Sequence, residues 1–596
     1  MPKLLRFPTP SLVLFGLLAL FSAGPALQNG LAVAPLGALP GSLPAAATGP
    51  GLSVDAAAGR HPISPDIYGM NFADEDLAKE LRLPVRRWGG NATTRYNWQN
   101  DSTNHASDWY FEDIPNDNPN PGALPDGSSS DQFIDQNRRT GTNTLLTLPL
   151  IGWAAKGTPQ NRSNACGFSV ALYGPQQSVD PWQPDCGNGV DLNGNPITRN
   201  NPADTSIAIT PAFVQDWLRY LAARYGPASG GGVRFYDLDN EPMLWSSTHR
   251  DVHPNPTSYD ELRDRTFNYA AAVKAVDPAA QTLGPVLWGW TAYWYSALDQ
   301  AAGGSWWDTR PDRKAHQDLP FVVWYLQQMQ AYQQAHAGLR IVDYLDLHYY
   351  PQANGVSLSP AGDANTQALR LRSTRSLWDP SYADESWIFD TEGGPAVRLI
   401  PRMREWVNQN YPGTKLAISE YNWGALDSLN GALAQADVLG IFGREGLDLA
   451  ALWDPPASAQ PGAFAFRMYL NYDGFGHTFG DQSVQAASAN QDQLAIYAAR
   501  RSRDGALTLM IINKSGADLD SPVTVSGFAA TQAGAVSAQV YRYSAADLSA
   551  IRQAPSQTVS GAGFSARFPA NSITLVVIPG APFTFKNPRF LPFMIK

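Results

Sequence analysis

Eight short apolar runs, rich in β-branched and aromatic residues, alternate with helix-period segments, and few architectures accommodate that order. The runs are 67–72 (IYGMNF), 85–89 (VRRWG), 144–153 (TLLTLPLIGW), 233–240 (VRFYDLDN), 281–289 (QTLGPVLWG), 342–350 (VDYLDLHYY), 415–423 (KLAISEYNW) and 446–454 (GLDLAALWD). Between them, 211–225, 258–276 and 320–336 carry helical periodicity. The first has Pro211 just inside a helix start with Thr210 available as N-cap, and the second opens on Ser258 and Glu261 at capping-box spacing. Strand, helix, strand repeated eight times predicts a (β/α)8 barrel over residues 61–485. A doubly wound open sheet would be expected to carry a Gly-rich phosphate loop at its switch point, and the sequence has none. The long insertions after the second and third runs hold Gly, Pro, Asn and Asp and read as loops.

Past residue 485 the texture changes. Short β-like runs at 493–499, 506–513, 522–528, 536–543 and 572–578 follow one another across turns such as SRDG and KSG. They predict a smaller antiparallel β-sandwich over 486–580. The run LSVDA at 52–56 has no helix partner, so an N-terminal strand at 51–60 is expected to join that sandwich.

The termini read as addresses. Lys3 and Arg6 precede an apolar stretch, SLVLFGLLALFSA at 11–23, and small residues follow, which is the pattern of a signal peptide within 1–34. An uncleaved anchor is the alternative. Residues 35–50 read as an Ala/Pro/Gly linker, and the tail 581–596 as an edge strand or a surface-sorting tag. The protein is therefore expected to be secreted, or surface-attached through the tail, with no membrane segment in the mature form. Two cysteines, Cys166 and Cys186, can pair in that setting, and closing their loop would stabilise by about 3 kcal/mol. A zinc site does not fit their spacing.

The net charge of −10 argues against nucleic acid, because phosphate recognition needs a basic footprint. With 18 Trp and 24 Tyr, aromatic-lined clefts for a neutral ligand are compatible with the composition.

A barrel places its chemistry at the C-terminal strand ends. The fourth run ends in Asp239, Asn240, Glu241 and Pro242, and the seventh in Ser419, Glu420, Tyr421, Asn422 and Trp423. A glutamate before a proline is commonly no more than a helix-start residue. Two glutamates facing each other across the mouth are different: glycosidic bond cleavage needs one protonated and one ionised carboxyl. Asp239 is read as turned away from Glu241, and Asp237 as sharing its facing deeper in the barrel. Glu392 and Asp390, in an insertion after the sixth run, could reach the cleft. For metals, DLNGN at 191–195 is faintly like a calcium loop, and the Asp/Asn-rich stretch 101–120 is a second candidate. No ligands are assigned, a structural calcium is left open, and the chemistry itself needs no cofactor.

The motifs RWGGNATTRYNWQND (87–101), DLDNEPMLW (237–245), DLHYYP (346–351) and ISEYNWG (418–424) resemble glycoside hydrolase family 44, retaining endo-β-1,4-glucanases and xyloglucanases. DCGNGVDLNGNPIT at 185–198 looks family-like as well, and the two-domain layout agrees. The resemblance implies Glu241 as acid/base and Glu420 as nucleophile, with Asn240 on the 2-hydroxyl of the reacting sugar. It implies that His348 and Tyr349 line the site, that Trp453 is a sugar platform, and that Trp88, Asn91 and Trp423 are subsite residues. The implied partner is a β-glucan, and a monomer is expected. A xylanase or mannanase with the same machinery, or a non-catalytic glycan-binding surface protein, are the alternative readings.

Overall fold

The computed structural model describes residues 47–156 and 165–580. The expected signal peptide, most of the 35–50 linker and the 581–596 tail lie outside the described residues. Among those described, no helix is long and apolar enough to cross a membrane.

The eight runs form a closed parallel barrel. Its strands are β1 (Gly69–Asn71), β2 (Val85–Trp88), β3 (Asn143–Leu148), β4 (Phe235–Leu238), β5 (Gln281–Leu287), β6 (Tyr344–Tyr349), β7 (Lys415–Tyr421) and β8 (Leu449–Leu452). Each pairs with its neighbours in chain order, and β8 pairs back onto β1.

Alternation along the strands explains why the barrel is apolar outside and graded inside. Val85, Leu145, Phe235, Leu283, Tyr344, Ala417 and Leu449, one from each of β2 to β8, close the interior as an apolar floor. Outward neighbours such as Leu146, Tyr236, Leu345 and Leu416 join the large core under the helices. One step above the floor the inward side chains turn polar: Arg87, Thr147, Asp237 and Asp346 are all buried. An apolar strand ends on carboxylates because its last inward positions leave the floor and enter the mouth.

The helices start where the sequence places them. Pro211–Tyr225 begins after Thr210, whose side chain makes no capping bond. Tyr259–Val276 begins after Ser258, whose hydroxyl accepts from the Glu261 amide at 3.1 Å. Only half of the capping box forms, because the Glu261 carboxylate bonds His253 at 2.8 Å and Arg265 at 2.9 Å instead. The insertions read as loops contain two small antiparallel ribbons, Ser102–Asn104 with Asp113–Pro115 and Trp153–Ala155 with Ser206–Ala208. Cys166 and Cys186 are disulfide-bonded within the insertion after β3.

The second domain is a β-sheet unit folded around its own core of Leu52, Val54, Ile496, Leu509, Val525 and Val576, among others. Its long central strands, Leu494–Arg500, Leu507–Asn513, Ser572–Ile578 and Val536–Ser544, pair antiparallel. Leu52–Asp55 inserts between Gln482–Ser488, to which it is antiparallel, and Leu519–Ser526, to which it is parallel. The sheet starts at Gln482, before the expected boundary, and the end of the expected linker, Ala47–Thr48, pairs with Leu519–Ser526. Leu494–Arg500 is buried on both faces: Leu494, Ile496 and Ala498 enter the sandwich core, while Ala495, Tyr497 and Ala499 pack on the barrel side. On that side Asp437, in helix Leu429–Glu445, accepts from Tyr497 Oη at 2.7 Å and Lys514 Nζ at 2.8 Å, and also from Thr374.

Candidate active site

Both glutamates reach the mouth through breaks in strand regularity. Period-two alternation alone would aim residues 237, 239 and 241 the same way. Asp239 and Glu241 instead have left-handed backbones, with φ of 75° and 47°. The first turns Asp239 outward, where its carboxylate accepts from the amides of Leu150 at 2.5 Å, Ile151 at 3.0 Å and Asn240 at 2.7 Å. It ties the end of β4 to the end of β3. The second lifts Glu241 over the cavity. On β7 the register against β6 slips between Leu347 and His348, so that Glu420 pairs with His348. The extra residue, Ser419, lets Glu420 face inward where strict alternation would turn it out. Non-glycine left-handed residues and bulges cost free energy, and they gather at sites that need a side chain re-aimed.

His348 stands between the two acids. Its Nδ1 is 2.8 Å from Glu241 Oε1 and 3.3 Å from Glu420 Oε2. One oxygen of each carboxyl and the imidazole nitrogen lie within 4.8 Å of one another. The surroundings of the acids differ sharply. Desolvation pushes the Glu241 carboxyl up to about 7, against the opposing charge of Arg87. Glu420 Oε1 accepts from Arg87 Nη1 at 2.6 Å, and its Oε2 accepts from Tyr350 Oη at 2.9 Å. Burial brings His348 down to about 3, so the imidazole is neutral at ordinary pH.

Arg87 is the hub. Its guanidinium also donates to Asp237, to Asn71 Oδ1 at 3.0 Å and to Asn240 Oδ1 at 2.9 Å. Burial works against its charge, but Asp237 and Glu420 outweigh that cost and hold it protonated. Beneath it, burial raises the carboxyls of both Asp237 and Asp346, and the charge of Asp237 raises that of Asp346 further. The two glycines of RWGGN make this packing possible. A Cβ on Gly89 would meet the Arg87 guanidinium at 2.2 Å, and one on Gly90, whose φ is 86°, would meet the Trp453 ring at 2.8 Å. The Gly90 amide donates to Asn240 Oδ1 at 3.2 Å, and Asn240 Nδ2 donates to Asn91 Oδ1 at 3.1 Å.

Glu241, Glu420, Asn240, Asn91, His348 and Trp453 therefore come together. Three expected substrate contacts do not join them. Trp88 alternates outward from Arg87 and packs on Tyr96 and Phe133, with centroids at 5.2 and 5.6 Å. Tyr349 alternates outward from His348, and its ring lies 5.9 Å from that of Trp423. Both Tyr349 and Trp423 are 1% exposed and belong to the core behind the barrel wall. Tyr350, one residue on, is the tyrosine that reaches Glu420. Arg87 and Tyr350 were missed, although the register fixed by His348 would have placed Tyr350. Glu392 is occupied elsewhere, bonded by Arg313 at 2.5 and 2.9 Å and by Tyr295 Oη at 2.7 Å.

Among the described residues, Glu241, His348 and Glu420 form the one grouping of His and acidic ligands close enough to share a metal ion. A cation there would face the Arg87 charge beside Glu420, which disfavours it. The calcium candidates have other uses for their oxygens. Asp191 Oδ1 accepts from the amides of Asn193 at 2.8 Å and Asn195 at 2.9 Å. Asp101 accepts from Tyr96, Asn116, Asn118 and Ser129.

A closed parallel barrel with two close carboxyls at its C-terminal mouth, one raised by burial and one paired with arginine, defines the class of barrel glycoside hydrolases. Residues 102–353 match the sequence model of glycoside hydrolase family 44. CelM2, a bifunctional glucanase-xylanase from a metagenome library, is 43% identical with a TM-score of 0.84, over 90% of this chain and 100% of that one. The chain belongs to glycoside hydrolase family 44. A Paenibacillus polymyxa xyloglucanase of the same family, solved with xyloglucan, is 31% identical with a TM-score of 0.72, covering 89% of this chain and 100% of its own. Endoglucanase A of Paenibacillus lautus is 32% identical over 508 residues, 82% of this chain; the chain spans 66% of that relative's length.

Proposed function

We infer that this protein is a secreted, monomeric, endo-acting β-1,4-glucanase that works by retaining double displacement without a cofactor. The observation that carries the reading is the pair of carboxyl groups with oxygens within 4.8 Å and opposite electrostatic surroundings. Retaining enzymes hold their carboxyls about 5–5.5 Å apart, and inverting ones about 6.5–9.5 Å, to admit a water. Glu241, protonated up to about pH 7, gives its proton to the glycosidic oxygen while Glu420 attacks the anomeric carbon. The ester that forms no longer carries the Glu420 charge, and Glu241, now ionised, takes a proton from the incoming water. Arg87 and Tyr350 hold Glu420 at both oxygens, which fixes its attack direction. Asn240, locked by Arg87, Gly90 and Asn91, is positioned for the sugar's 2-hydroxyl, and Trp453 offers a flat face beside it.

Xylan is a second candidate backbone, because the 43% identical relative is described as a glucanase-xylanase. A panel of xyloglucan, carboxymethyl cellulose, xylan and mannan with product sizing separates these readings. Proton NMR of the first product formed should show the β-anomer. Initial release of the α-anomer would overturn retention, and wild-type protein that binds glucan but cleaves none of the panel would leave a glycan-binding protein.

A further inference from the structure

Trp182 is 69% exposed, a high value for the largest apolar side chain. It is nevertheless held in place. Its ring stacks on Trp109, with centroids 5.4 Å apart and planes at 28°. One buried carboxylate pins both residues: Asp180 Oδ1 accepts from the Trp182 amide at 2.8 Å, and Oδ2 accepts from Trp109 Nε1 at 3.0 Å. The loop that carries Trp182 is closed by the Cys166–Cys186 disulfide, and the Asp180 amide donates to the Cys186 carbonyl at 2.9 Å. With one face covered by Trp109, the exposed area of Trp182 is its other face.

The turn that carries Trp109 adjoins the candidate active site. Asn240 bonds Asn91, and Asn91 Nδ2 donates to Asp108 at 3.0 Å, beside Trp109 in sequence. The turn Ala106–Trp109 packs against Trp245–Thr248, which follows Glu241. The platform thus sits on the rim of the mouth, joined to Asn240 by a continuous chain of contacts.

We propose that Trp182, backed by Trp109, is a distal sugar-binding platform for a β-linked glucan chain running out of the mouth. Equatorial hydroxyls leave both faces of a β-glucopyranose ring lined by C–H groups, which match a flat aromatic surface. A rigid, pre-stacked indole loses little conformational freedom on binding. The net charge of −10 disfavours an anionic partner. The proposal rests on the glucanase reading, and its test separates the two. Native electrophoresis through gels containing hydroxyethyl cellulose reports binding whether or not the chain is cleaved. Trp182→Ala should weaken retardation by roughly five-fold in apparent affinity, and Trp182→Phe, which keeps a flat ring, should lie between it and wild type. In kinetics, Trp182→Ala should raise KM on the polymer by a similar factor, with kcat and the rates on the shortest cleaved cello-oligosaccharide unchanged. Equal retardation of wild type and Trp182→Ala overturns the platform, as does an equal loss on short and long substrates. Retardation that differs in a protein that hydrolyses nothing would uphold the platform and defeat the glucanase reading.

Discussion

The ends of β4 and β7 present the same side chain to the same cavity and surround it differently. Glu241 is half-buried against an imidazole held neutral, and desolvation raises its carboxyl to about 7. Glu420, within 4.8 Å, accepts from a guanidinium and a phenol. Charge placement, not residue type, is what separates the two proposed roles. A carboxyl whose burial outweighs its nearest cation is suited to the proposed acid role, and one bonded directly by Arg87 to the proposed attack.

The contrast breaks most severely at the β7 end. Glu420→Ala should lower hydrolysis of xyloglucan or carboxymethyl cellulose by at least ~10⁴-fold with an unchanged circular dichroism spectrum. Activity within ten-fold of wild type would mean that the nucleophile lies elsewhere. At the β4 end, Glu241→Gln should cost ~10³-fold on polysaccharide, the scale of lost general-acid catalysis, and much less on aryl glycosides whose leaving group needs no proton. The pH profile sharpens the same point. As the proposed acid, Glu241 has to be protonated, so wild-type kcat/KM should fall as pH rises through about 7, and that limb should be missing from Glu241→Gln. A limb that persists in the variant would assign it to another group. The smallest effect belongs to the grip on Glu420. Tyr350→Phe removes one of its two hydrogen bonds and should lower kcat about ten-fold at unchanged KM.

Much of this was legible in the sequence because a barrel repeats one local rule eight times. The runs containing Phe235–Leu238 and Lys415–Tyr421 needed only apolar texture and spacing to be found, and their glutamates were exposed by position. The errors at Trp88, Tyr349 and Trp423 share a cause. A strand end shows which residues are near the mouth, but the face each takes depends on register, and one step exchanges cavity for core. That step separates Tyr349 from Tyr350. The bulge at Ser419 and the left-handed turns at Asp239 and Glu241 leave no mark in composition. Arg87 was hidden for another reason: adjacent arginines in VRRWG look alike, yet Arg86 bonds Asn137 at 2.7 Å among the helices while Arg87 bonds Glu420 at 2.6 Å. The paired strand Gln482–Ser488 (QSVQAAS) carries one large apolar residue, Val484, so no apolar run marks it in the sequence.

The double-faced strand Leu494–Arg500 has a consequence for anyone who wishes to shorten this enzyme. A carbohydrate-binding appendage can be trimmed at its linker, but here a cut near residue 485 would strip Ala495, Tyr497 and Ala499 from the barrel and bare the apolar flank they cover. It would also strand the Asp437 carboxylate without Lys514 and Tyr497. The catalytic unit is therefore both domains together. Grafting or swapping modules has to respect a seam that runs through the middle of a β-sheet, not along the chain between two folds.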